Sequence, residues 1–211
     1  MAARPLRIGI LAIVAFAAGL LLARAFWSPS PAPPQAERAT IFPAPRALPA
    51  LDLADHDGRP LGPDFFANKW TLVFFGFTNC PDICPTTLAT LAQFERQLAD
   101  LPAGERPGVL LVSVDPERDD PARLAAYVKF FDPAFTGATG TPQAVADAAA
   151  AFGVPYAKVS LPEGGYTMDH GSGVFVVGPT GGIVAYMSGP HDAIVMARDY
   201  RRIVAYAGDR G

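Results

Sequence analysis

The sequence predicts an α/β sandwich, a mixed central sheet flanked by helices, preceded by an N-terminal helix expected to be transmembrane. Apolar runs of strand length alternate with amphipathic helical stretches between residues 71 and 152. A strand pair and a helix then close the chain, which together give the sandwich. An uncharged run near the amino terminus gives the membrane segment.

Met1 to Arg7 carries Arg4, Arg7 and the amino terminus, and Ile8 to Ala23 is then sixteen residues without a charge. A span needs about 20 apolar residues, with about 17 as the lower limit. Counting through Arg24, whose charge can snorkel, to Trp27 reaches that length and adds an interfacial aromatic. Residues 1–27 therefore read as a cytoplasmic start and a retained single-pass anchor. Cleavage is the alternative, because Ala23-Arg24-Ala25 resembles a signal-peptide cleavage site. Either way the basic start stays in the cytoplasm and the rest is exported, to the periplasm or an equivalent space.

Residues 28–47 read as a proline-rich spacer. Ser28 to Pro49 holds seven prolines among twenty-two residues, a composition that favours extended, semi-rigid chain. Fully extended, the stretch would reach ~65 Å at ~3.1 Å per residue. Ala39-Thr40-Ile41-Phe42 is the part that could instead pair with the domain as a short strand. Residues 48–211 then make one domain of ordinary size. Net charge is −3, with no basic run beyond the anchor, which gives no sign of a nucleic-acid partner.

Within the domain, Asp52 to Leu61 reads as a strand and tight turn, with Asp57-Gly58 as the turn signal. Thr71 to Phe77 has the continuous apolar character of a strand covered on both faces. Pro85 suits the first helical position, with Cys84 before it biased away from helical geometry. Leu88, Leu91, Phe94 and Leu98 form the apolar stripe of that helix. Val109 to Val114 reads as a second buried strand. Asp120-Pro121 opens a helix through Leu124, Tyr127, Val128 and Phe131, with aspartate as the cap and proline in the first turn. Thr141-Pro142 opens an alanine-rich helix to Phe152, stopped by Gly153. Tyr156 to Leu161, Gly173 to Val177 and Ile183 to Met187 read as strands, the last two joined through Gly178–Gly182. A helix from about Asp192 to Tyr206 closes the chain. No internal repeat is visible.

Cys80 and Cys84 are the two cysteines of the chain. They fall where the first buried strand hands over to a helix. A helix start lowers a thiol's pKa, and a thiolate serves both disulfide exchange and metal binding, so the placement leaves both uses open. Thioredoxin-type oxidoreductases place two residues between their cysteines, whereas three stand here, and Pro81 and Pro85 stiffen the turn. Two soft sulfurs so held suit a thiophilic ion such as Cu(I). A closed zinc site needs four protein ligands, which the three histidines leave formally open. His170, in Thr167-Met168-Asp169-His170-Gly171, lies just before a predicted strand and by itself reads as a solvated turn residue. His56 and His191 read as exposed turn residues outside any site. Met168 and Met187 read as core filling. Asp115, Glu117, Asp119 and Asp120 read as turn and capping residues.

Phe77-Thr78-Asn79-Cys80-Pro81-Asp82-Ile83-Cys84-Pro85-Thr86 closely resembles the C-x-x-x-C signature of the SCO/SenC family. Val112-Ser113-Val114-Asp115-Pro116-Glu117-Arg118-Asp119 resembles that family's second block, and Tyr166-Thr167-Met168-Asp169-His170 its third. The resemblance runs from about Leu48 to the final helix. It implies a thioredoxin-like fold that binds a copper ion, Cu(I) or Cu(II), through Cys80, Cys84 and His170. It also implies a role in assembling the CuA centre of cytochrome c oxidase, with the CuA-bearing subunit, a copper donor and a thiol reductant as partners. The rival implication is a thiol:disulfide oxidoreductase in which Cys80 and Cys84 are the redox-active pair; a peroxidase is third. Two positions depart from the family pattern: Gly171, where serine is usual, and Gly178, where an aspartate usually precedes the proline.

Overall fold

The computed structural model describes the backbone of residues 3–26 and 32–208, and the chain divides into two compact units after Ala32. The first contains one helix, α1 (Ala3–Phe26). Among the described residues no helix is long and apolar enough to cross a membrane, so the expected span is not shown. Part of that expectation, the side chains of Arg4, Arg7, Arg24 and Trp27 included, lies outside the described residues.

The second unit begins with β1 (Ala39–Arg46), β2 (Ala54–Asp55) and a one-turn helix α2 (Pro63–Phe66). Strands and helices then alternate through β3 (Thr71–Gly76), α3 (Ile83–Gln97), β4 (Gly108–Ser113), α4 (Pro121–Phe131), β5 (Thr136–Thr139) and α5 (Pro142–Phe152). A hairpin follows, β6 (Tyr156–Ser160) and β7 (Tyr166–His170), then β8 (Val174–Val177), β9 (Ile183–Met187) and α6 (Ala193–Gly208). Seven strands form one sheet in the order β1-β9-β8-β3-β4-β5-β2, and β6-β7 stands apart as a second, two-stranded sheet. β3, β4 and β5 run parallel, whereas β8, β9, β1 and β2 pair antiparallel to their neighbours. The sheet is mixed, as the pattern of elements predicts.

Every residue of β3 is buried, which its unbroken apolar run requires of a strand covered on both faces. The predicted stripe of α3, Leu88, Leu91, Phe94 and Leu98, is fully buried. α6 packs beside it, with Tyr200 edge-on to Phe94 at 5.6 Å and to Trp70 at 5.8 Å. The predicted helix starts hold. Asp120 accepts from the Arg123 N–H at 2.8 Å and Thr141 from the Ala144 N–H at 3.1 Å, each cap contributing about 1 kcal/mol. Gly153 ends α5 with φ +74°, the left-handed cap that glycine adopts without strain.

Several elements differ from expectation, the one-turn helix α2 among them. α3 begins at Ile83, so Cys84 is already helical; Pro85 still sits in the first turn, where a missing N–H costs nothing. β5, with the sequence Thr-Gly-Ala-Thr, was not anticipated, and it depends on Gly137, where a Cβ would lie 3.0 Å from Leu124. β7 is a strand where the sequence reads as a loop. β1 continues past Phe42 to Arg46 and pairs with β9, so the sheet takes in residues that the proline count assigns to the spacer. The start of β1 is fixed by the buried carboxylate of Asp199 on α6. It accepts the N–H groups of Glu37, Arg38 and Ala39 at 2.8, 2.8 and 2.9 Å.

Candidate metal centre

β3 ends at Gly76 and the chain turns into α3, which leaves Cys80 in the turn and Cys84 at the second helical position. Cys84 is buried and Cys80 half-buried, and both are free thiols. The Cys84 N–H points at Cys80 Sγ, 3.4 Å away, and folds the two sulfurs together. Gly76 gives Cys84 its room. A Cβ there would lie 3.0 Å from Cys84 Sγ, 3.0 Å from the Phe74 ring and 3.1 Å from Leu111.

His170 is the last residue of β7. Its Nε2 lies 3.4 Å from Cys84 Sγ and its Nδ1 3.0 Å from the carbonyl oxygen of Gly171. When Nδ1–H donates to that carbonyl, Nε2 is the bare nitrogen and it faces the sulfurs. Phe74 and Phe77 stand edge-on to the imidazole at 6.1 and 5.8 Å. The donor atoms of Cys80, Cys84 and His170 all lie within 4.8 Å of one another, and no other such group of three occurs among the described residues. An imidazole 86 positions beyond the second cysteine is thus brought to the thiols.

Burial decides the electrostatics. It pushes the Cys84 thiol far above the usual thiol range, the reverse of the effect expected from a helix start. The side chain lies in dry packing, where desolvation outweighs the helix terminus. Burial also pushes the His170 imidazole below its ordinary value, so the ring is neutral at pH 7. A thiol so hard to ionise is a poor nucleophile, but a bound cation supplies the charge that makes the thiolate stable.

Sequence reasoning missed the polar frame around this group. Asp119, read as a turn residue, is fully buried. It accepts the Thr78 N–H at 3.0 Å, the Thr78 hydroxyl at 2.6 Å and the Ser113 hydroxyl at 2.7 Å. Asp115 is also buried; it pairs with Arg118 and accepts the Tyr166 hydroxyl at 2.8 Å. Thr78 and Tyr166 lie 41 and 51 positions from these acids, beyond any local pattern. Asp120 alone of the four acids is a plain cap, and Glu117 pairs with Lys158 at 2.7 Å. His56 is not exposed: its side chain retains 4% of its accessible surface, and Nδ1 accepts the Gly137 N–H at 2.9 Å. His191 is half-buried, with Nε2 2.8 Å from the Ser172 carbonyl oxygen. Neither joins the donor group. Met168 and Met187 are core residues, as expected.

The model of the SCO1/SenC family matches residues 43–205. The chain belongs to the SCO1/SenC family. Its similarity to the mitochondrial SCO2 homolog of Mus musculus is 36% identity over 156 residues, 74% of this chain and 61% of that protein. The match therefore spans about three fifths of that relative. The crystal structure of Arabidopsis thaliana ScoI with copper bound superposes with a TM-score of 0.69 at 30% identity, covering 77% of this chain and 98% of ScoI. BsSco, a cytochrome c oxidase assembly protein of the Sco family with a disulfide switch, shares the fold. Its TM-score is 0.59 at 23% identity, over 79% of this chain and 98% of BsSco. The fold is thioredoxin-like, as the resemblance implied.

The two departures from the SCO/SenC pattern spare the donor group. His170 is oriented by a backbone carbonyl at position 171, which any residue supplies. A Cβ on Gly171 would meet Pro155 and Val154 only at 3.7 Å, so the glycine is not sterically required. Gly178 lies by Trp70, where a Cβ would come within 3.2 Å of Val184.

Proposed function

We propose that this SCO/SenC protein is an exported, membrane-tethered copper chaperone that binds copper through Cys80, Cys84 and His170. Copper is its cargo, which it delivers toward the CuA centre of cytochrome c oxidase. The observation that carries this reading is the convergence of two sulfurs and one bare nitrogen within 4.8 Å. Two thiolates suit Cu(I), and a neutral imidazole extends the set to Cu(II). The copper-bound relative supports the choice of metal, and the uncharged run from Ile8 to Ala23 supports the tether. A copper donor, a thiol reductant and the CuA-bearing subunit are the partners it requires. Loading needs the reduced protein, because a Cys80–Cys84 disulfide leaves no thiolate to bind.

The test is titration of the reduced protein with Cu(I) and Cu(II). The native chain binds one equivalent and shows a sulfur-to-Cu(II) charge-transfer band. His170→Ala weakens Cu(II) binding by at least about a hundredfold, since losing a ligand costs no less than losing a ligand's outer partner, and leaves a weaker Cu(I) complex. Unchanged Cu(II) binding in this variant would refute the ligand set. The half-buried Cys80 thiol, accessible enough to attack a partner's disulfide as the thiolate, favours a second reading as a thiol:disulfide oxidoreductase. In that case His170→Ala retains full exchange activity toward an oxidised CuA-subunit peptide.

A further inference from the structure

We infer that Arg118 is a positioning residue that sets the distance between the thiol pair and His170. This inference rests on the copper-site reading. The hairpin that carries His170 shares no backbone ladder with the main sheet, and β6 is largely exposed. Side-chain contacts must therefore locate its outer strand, and most of the polar ones come from a single turn, residues 115–119.

Arg118 is the centre of that turn. Its Nε pairs with Asp115, and its Nη1 donates to the Tyr166 carbonyl oxygen at 3.0 Å. Its guanidinium lies 3.8 Å from the centre of the Tyr166 ring and 5.9 Å from that of Phe77. One planar group thus touches the first residue of β7 and the aromatic residue that follows β3. Lys158 covers the Tyr166 ring at 3.9 Å while paired with Glu117 of the same turn. Asp119, next in sequence, holds Thr78, two residues before Cys80. The turn therefore grips the sulfur loop with Asp119 and the imidazole hairpin with Arg118, Asp115 and Glu117. Arg118 Nη2 is buried and has no hydrogen-bond partner among the described residues, a cost retained where the other nitrogens of the fork fix the geometry. Lysine keeps the charge but cannot hold Asp115, the carbonyl and the ring face at once.

The experiment compares the native chain with Arg118→Lys and Tyr166→Phe. In the reduced, copper-free state, amide hydrogen exchange at residues 166–170 accelerates about tenfold in Arg118→Lys, while β3 changes by less than about twofold. Tyr166→Phe, which loses the hydroxyl's bond to Asp115 and its contact with Glu117 but keeps the ring and the carbonyl that Arg118 holds, gives about a threefold acceleration confined to the same residues. With Cu(II), Arg118→Lys loses the nitrogen coupling of His170 in its paramagnetic resonance spectrum while still binding one equivalent of Cu(I). Hairpin exchange equal to native, or acceleration spread equally over β3, overturns the inference. If Arg118→Lys does not fold, Tyr166→Phe decides by the same criteria. A native chain without a sulfur-to-copper band would defeat the copper reading, and the exchange data would still decide the role of Arg118.

Discussion

The two halves of the donor group are held by different physics. The thiols stand on the core: Cys84 is buried against β3, with Gly76 cut back to admit its sulfur. The imidazole stands on a hairpin outside the main sheet, whose tip residues Val159 and Leu161 are exposed. Its outer strand is held by cations, carboxylates and one tyrosine ring. Close packing yields little to small forces, whereas polar contacts at a half-exposed surface open at low cost. The sulfur half is therefore the fixed platform, and the histidine half is the adjustable arm. For the proposed copper carrier, that division would allow the imidazole to disengage while the two sulfurs retain the ion.

The comparison can be broken most forcefully at Asp119. Asp119→Ala strands two Thr78 donors and the Ser113 hydroxyl, and should cost about 3 kcal/mol of unfolding free energy. Denaturant unfolding measures this, and alkylation of Cys80 should speed up in parallel as its loop loosens. A near-neutral result would mean that the sulfur loop is no more rigid than the hairpin. Gly76→Ala comes next, at about 2 kcal/mol, because the added methyl presses on Cys84 Sγ, Phe74 and Leu111 together. The same denaturation assay reads it, and the hairpin exchange rates should not move.

The smallest effect sharpens the contrast from the far end of α3. Burial, aided by nearby Asp132, raises the Glu95 carboxyl from 4.5 to about 7. The folded state thus holds a proton that the unfolded chain has released, so stability falls as pH rises from about 4.5 to 7 and stays lost above that. Glu95→Gln should raise stability at pH 8 by about 1–2 kcal/mol, discounted for partial exposure, and change little at pH 5. Chemical denaturation at the two pH values checks this. The Cys80–Cys84–His170 donor group should be unaffected, since α3 carries Cys84 in its first turn and Glu95 in its last.

The legibility of the sequence follows the same division. The platform could be read because its signals are local: an apolar run from Thr71, a proline beside Cys84, and caps at Asp120 and Thr141. The arm could not. Tyr166 to His170 has one buried residue, Met168, in five, so no alternation marks it as a strand, and its neighbours are exposed too. Asp115 and Asp119 looked like ordinary turn acids because their partners are remote in sequence. His56 and His191 looked solvated because their acceptor and donor groups belong to other elements. Bringing His170 to the thiols required the family resemblance; the residues alone pointed to a solvated turn.

Asp199 and the strand it secures have a mechanical consequence. The chain joins the domain at Glu37, where three successive amides are gripped by a carboxylate of the last helix and the following strand lies along β9. Tension arriving from the leader side would load that grip and shear the β1–β9 ladder, with β9 and β8 standing between it and β3. The thiols at the end of β3 are thereby sheltered from any pull on the residues before Glu37.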